Sequence, residues 1–263
     1  MKWIKGMIIN LQLFTSIPIR CEISMDKDNI NHAIKTFPIL GLVQGLLYAC
    51  ILYLALNWTP FSSLAAAFFV WVAMIVITGG IHLDGWIDAS DAYFAYQSIK
   101  KRLEIMKDPR TGAFGVLSVI VLLAAKFFFI YETVIRESAT TYLLIAMIPL
   151  ISKSIMGMLL IHVKGAKADG LGAYFKQAAD KKTLGIYPIY FFIILVLAGS
   201  VNQRAFIGAS ILLVTMVVLY FGLSHKAVKW FGGITGDVVG ASVEGSELVL
   251  WMMVWLLHYF VTV

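Results

Sequence analysis

The sequence predicts an all-α protein, a polytopic membrane helix bundle of about seven transmembrane helices preceded by an interfacial N-terminal helix. Three observations lead there. Of 263 residues, 60% are hydrophobic and only 14% charged, where soluble domains run near 45–50% and about 25%. The apolar residues fall in continuous runs, without the period-2 alternation of a membrane β-barrel. The charges collect in the segments between those runs. None of these segments is long enough to build a soluble core, so residues 1–263 read as a single integral membrane domain.

The chain opens with Lys2 and Lys5, and its first apolar stretch is broken by Asn10 and Gln12 before ending in Thr15-Ser16-Ile17-Pro18. It has no small-residue cleavage site, which predicts a retained, partly amphipathic helix lying along the interface. A hydrocarbon layer of roughly 30 Å needs about 20 mostly apolar residues. Spans are expected near 39–56, 61–81, 114–131, 142–163, 186–199, 205–223 and 248–263, the last short at its apolar core. Of 21 basic residues, only Arg136 and Arg204 fall on one side of this arrangement, with Lys126 and Lys153 inside spans. By the positive-inside rule the N-terminus and long loops are cytosolic, the C-terminus is outside, and the setting is a cytoplasmic (inner) membrane. Lys126, nearer an outer end, is expected to snorkel.

The net charge of +6 does not point to nucleic acid, because the basic residues are scattered between apolar runs instead of forming one stripe. The 2 cysteines, Cys21 and Cys50, make neither a metal motif nor a disulfide framework.

Three constellations carry chemistry. In Gly79-Gly80-Ile81-His82-Leu83-Asp84-Gly85-Trp86-Ile87-Asp88-Ala89-Ser90-Asp91, the aspartates are spaced i, i+4, i+7. On a helix they fall within an arc of about 60°. Unscreened carboxylates on one face repel, and a hard divalent cation such as Mg2+ removes the conflict while bridging to substrate phosphates. Downstream, Lys107 and Arg110 flank Pro109 ahead of Gly112 and Gly115, a point charge and a planar fork suited to phosphate oxygens. In the stretch from Gly232 to Glu247, a helical reading puts Gly233, Asp237, Gly240, Ala241 and Glu244 on one face. Two acids among small residues suggest a second half of the same site, with room for a bulky anionic substrate. Lys153, in mid-span, must face a polar cavity or pair with an acid.

At these residues the chain resembles the cobalamin synthase family over nearly its whole length. The resemblance rests on Phe14-Thr15-Ser16-Ile17-Pro18 with Phe37-Pro38-Ile39-Leu40-Gly41, on the Gly79–Asp88 block, on Glu104 to Gly115, and on Gly232-Gly233-Ile234-Thr235-Gly236-Asp237-Val238-Val239-Gly240-Ala241. Where the family commonly has an arginine after the proline of the fourth span, this chain has Lys153. The resemblance implies transfer of α-ribazole or its 5′-phosphate onto adenosylcobinamide-GDP, with Mg2+ as cofactor and release of GMP. It implies Asp84, Asp88 and Asp237 as metal ligands, Lys107, Arg110 and Lys153 at the phosphates, Glu244 at the substrate, and Asp91 ahead of His82 as proton acceptor. The lipid bilayer is the implied setting, and a homo-oligomer is left open. A CDP-alcohol phosphotransferase would use a similar carboxylate row, but its D-x-x-D-G-x-x-A-R opening is absent. A transporter would show repeat symmetry, and none is found.

Overall fold

A computed structural model describes residues 2–261. The first helix, α1 (Lys2–Phe14), packs along α2 (Lys27–Asn57). The polar break in α1 has a partner there: the Asn10 amide donates to the Ala33 carbonyl at 2.8 Å and to Thr36 Oγ1 at 2.9 Å. Helix α2 starts at an Asp26 cap that accepts from the Asn29 amide at 2.9 Å. Its 31 residues measure about 46 Å at roughly 1.5 Å each, longer than a bilayer core.

Helix α3 (Ser63–Thr78) and helix α4 (Ile81–Phe94) are separated only by Gly79 and Gly80, at φ 64° and 75°. That left-handed conformation suits glycine, and it turns the chain through 86°. The expected second span is therefore a short helix ending in a sharp corner. The rest follows as α5 (Ile99–Ile105), α6 (Ala113–Val134), α7 (Ala139–His162), α8 (Leu171–Ala178), a 3₁₀ turn (Lys181–Ile186), α9 (Tyr187–Val201), α10 (Gln203–Phe231) and α11 (Gly236–Phe260). Among the described residues six helices are long and apolar enough to cross a membrane, seven if α3 and α4 count as one bent pair. These apolar helices make the protein a multi-pass membrane protein.

Helix α7 is the axis of the bundle, with 94% of its apolar window buried, against 22% for α6 and α10. Gly41 and Gly45 of α2 let the backbones of Pro149 and Ala146 in α7 come so close that any side chain would overlap them, the small-xxx-small contact of membrane helices.

The last expected span begins much earlier than 248, because Thr235 caps α11 by accepting from the Val238 amide at 3.1 Å. Glu244 and Glu247 therefore lie inside the bundle and not in a loop. Lys126 does not snorkel: its ammonium meets Glu244 at 2.5 Å and Glu247 at 3.1 Å, with both partners buried. Lys153 lies 3.6 Å from Glu247, which also accepts from the Ser152 hydroxyl at 3.0 Å. In a medium without water an isolated ammonium is costly, so both lysines turn inward to α11.

A candidate active site at one end of the bundle

The corner after α3 is held by the N-terminal segment, where the Ser16 amide donates to the Ile77 carbonyl at 2.9 Å. Phe14 then stacks on the His82 ring at a centroid distance of 5.6 Å and 16° between planes. His82 is buried, and its Nε2 has no partner among the described residues. Helix α4 continues across the start of α11. Gly85 meets the Asp237 backbone there, its Cβ position only 2.8 Å from the Asp237 carbonyl oxygen. No larger residue fits at this crossing.

The loop after α7 is tied to the loop before α11 by a short parallel bridge: the Ile234 amide donates to the Lys164 carbonyl and the Ala166 amide to the Ile234 carbonyl, each at 2.9 Å. Gly233, at φ 153°, lies in this bridge outside α11, its Cβ position overlapping the Lys164 carbonyl. The bridge brings Lys167 to 3.7 Å from the Asp237 carboxylate. Thr235 donates its hydroxyl to the same carboxylate at 3.2 Å.

These elements enclose a cavity of about 490 Å³. His82, Asp84 and Gly85 of α4 form one wall with Thr235, Asp237 and Gly240; Met106 and Lys107 come from the loop after α5; Lys167, Asp169 and Phe175 come from the loop and helix after α7; Phe14, Met156 and Leu160 complete it. Segments far apart in sequence thus converge at one end of the bundle, and acids and lysines share the lining. Lys107 reaches Asp169 at 3.0 Å, and that ion pair holds the Asp169 carboxyl below its ordinary range.

The cobalamin-5-phosphate synthase family matches residues 6–255. The chain belongs to this family. It is 37% identical over 258 residues to the adenosylcobinamide-GDP ribazoletransferase of Geobacillus sp. (strain WCH70), covering 98% of each chain. To the protein of the same name from Geobacillus kaustophilus (strain HTA426) it is 38% identical, covering 96% of each. The Clostridium botulinum (strain Alaska E43 / Type E3) counterpart is 32% identical, with 93% of this chain and 94% of that one covered. No solved structure matches the chain.

Within this cobalamin-5-phosphate synthase fold the expected site residues divide. Asp84, Asp237, His82 and Lys107 line the cavity. Asp88 lies one turn along α4, within the fields of Asp84, Asp237, Asp91 and Lys167. Among the described residues no three His, Cys, Asp or Glu side chains come together closely enough to hold an ion by themselves, so the expected Asp84, Asp88 and Asp237 triad is not a preformed cage.

Four expectations meet a different arrangement. Asp91 turns away to accept from the amides of Gly112 and Gly115, both at 2.7 Å. Arg110 is exposed and closes on Asp108 at 2.6 Å, which holds the Asp108 carboxyl down at about 2. Lys153 and Glu244 are committed to the buried ion network and do not line the cavity. Conversely, Lys167, Asp169 and Thr235 were missed, since a Lys-x-Asp-Gly loop between spans carries no pattern that separates it from a topological charge cluster.

Proposed function

We infer that the chain joins α-ribazole, or its 5′-phosphate, to adenosylcobinamide-GDP, giving adenosylcobalamin, or its 5′-phosphate, and GMP. The observation that carries this reading is the convergence of the family's separate motif blocks on one cavity lined by Asp84, Asp169 and Asp237 together with Lys107 and Lys167. In the reaction a ribazole hydroxyl oxygen forms a bond to the phosphorus on the cobinamide side of the pyrophosphate. The bond from that phosphorus to the bridging oxygen breaks, and GMP departs with that oxygen. Such transfers depend on positioning and charge neutralisation more than on covalent help.

The donor set fits Mg2+, which takes hard oxygens and commonly uses one or two protein carboxylates with substrate phosphates. Asp84 and Asp237 would hold it, with Asp88 adjoining, and bound magnesium would neutralise charge on the pyrophosphate oxygens. Lys107 and Lys167 face the same space. The exposed Lys107–Asp169 pair, of a kind worth about 0–1 kcal/mol, yields readily to a phosphate group. His82 supplies the proton acceptor for the attacking hydroxyl, since Asp91 is committed to amides and the ring is the imidazole on the cavity wall.

The basic asymmetry supports a cytosolic cavity, with the N-terminus on the same side and the C-terminus outside, in a cytoplasmic (inner) membrane. The decisive experiment incubates the purified protein in lipid with adenosylcobinamide-GDP, α-ribazole and magnesium and identifies the products. Stoichiometric GMP and a completed corrinoid are expected. Consumption of neither substrate overturns the reading.

A further inference from the structure

We propose that Asp91 is a positioning residue that clamps the phosphate-facing loop, and not the proton acceptor that its place in the aspartate row suggests. The proposal rests on the cavity being the reaction site. Helix α6 has Gly112 at its cap position, with no side chain of its own to satisfy the first amides. Asp91 supplies the missing acceptor from another helix: one carboxylate oxygen takes the Gly112 amide and the other takes the Gly115 amide, each at 2.7 Å. A carboxylate at a helix N-terminus also meets the positive end of the helix dipole.

The glycines confirm what the space is for. Gly112 has φ −83°, ψ 162°, a backbone open to any residue, and Gly115 lies inside α6, where glycine is unfavourable. Neither needs conformational freedom. A Cβ at either position would overlap the Asp91 carboxylate, so both are small to admit it.

The clamp acts on the cavity through a short piece of chain. The loop 106–112 is anchored behind by Arg102 of α5, which donates to the Trp230 carbonyl at 3.0 Å, and in front by Asp91. Met106 and Lys107 between these anchors line the cavity. Releasing the front anchor loosens the 108–112 stretch that follows Lys107, whose own amide stays bonded to the Glu104 carbonyl at 3.0 Å, while leaving Asp84, Asp237 and His82 in place.

The test compares Asp91→Ala, Asp91→Asn and Gly112→Ala in full-length protein in lipid, with hydrogen exchange and steady-state kinetics on each. The expected result is fast exchange over residues 112–116 and a KM for adenosylcobinamide-GDP raised roughly tenfold, with kcat within about threefold. Gly112→Ala, which leaves the carboxylate intact but displaces it, gives the same KM rise. The Asp91→Ala, Gly112→Ala double variant is no worse than the more impaired single one. The wild-type pH profile keeps its shape in Asp91→Asn. A collapse of kcat with loss of one limb of that profile in Asp91→Asn, while Gly112→Ala stays normal, overturns the proposal in favour of proton transfer. Unchanged exchange over 112–116 in Asp91→Asn overturns it independently of turnover. Should wild type itself fail to release GMP, the reaction assignment falls, and the exchange experiment still decides the clamp.

Discussion

Replacing Lys126 by methionine removes the cation that bridges Glu244 and Glu247, and the structure sets the size of the effect. The Lys126 side chain is 4% exposed, and its carboxylate partners are 6% and 8% exposed. Methionine keeps most of the volume, so packing changes little. What remains among the described residues is a pair of buried carboxylates answered by one cation, Lys153, at 3.6 Å from Glu247. Breaking a buried pair by removing one partner costs about 3–5 kcal/mol, against about 0–1 kcal/mol for an exposed pair or a snorkelling lysine. At roughly 2–4 °C per kcal/mol for a chain of this size, the apparent Tm should fall by about 6–20 °C, read by intrinsic tryptophan fluorescence in detergent at a fixed scan rate. Adding Glu244→Gln to Lys126→Met removes the stranded charge, so the double variant should recover a large part of the loss. A Lys126→Met protein within about 2 °C of wild type, or a double variant less stable than the single one, refutes the network as drawn.

Asp84→Asn and Asp237→Asn should each lower single-turnover GMP release by roughly a hundredfold or more while leaving the melting temperature near wild type; normal turnover in either one removes that carboxylate from the reaction. Gly85→Leu should push α4 off α11 at a cost of about 1–3 kcal/mol, whereas Gly222→Ala, where the Cβ position has open space, should be neutral or stabilising because alanine favours the helix by about 1 kcal/mol; equal thermal stability of the two variants contradicts the close crossing. Reporter tags at the two ends should fall on opposite faces of the membrane, and both ends in the cytosol would exclude a seven-crossing topology.

The helices were legible because each apolar run outlasts any soluble pattern, and the site's two carboxylate blocks stood out because acids at a membrane edge need a reason. What escaped the sequence depended on pairings with no local period. Lys126 and Glu244 are 118 residues apart, and nothing in either neighbourhood announces the other. The junction of α11 escaped because the glycine- and acid-bearing stretch before 248, although readable as a helix with one acidic face, lacks an apolar run, and only the Thr235 cap and the Gly85 crossing show it as the buried first turns of the last span. Asp91 is absent from the cavity lining for a subtler reason. Its spacing does place it on the face of Asp84 and Asp88, yet another helix end intercepts it before it can reach the cavity.

The corner at Gly79 and Gly80 decides whether the aspartate row can act at all. If α3 ran straight on, Asp84 would stand about 9 Å past Thr78 and Asp91 about 20 Å past it, at roughly 1.5 Å per residue. Carboxylates strung out along a projecting helix would be screened by salt over a Debye length of about 8 Å and would meet no second wall. The 86° turn instead lays α4 across the end of the bundle, where Gly85 lets it sit on the first turn of α11. There Asp84 lines the same cavity as Asp237, which stands at the positive end of the α11 dipole with Lys167 3.7 Å away. Those two contributions offset part of the repulsion between the acids, so the wall is stable enough to fold and still short of positive charge. Under the proposed function, a cation shared with a pyrophosphate would answer that deficit, with Lys107 and Lys167 lining the same cavity.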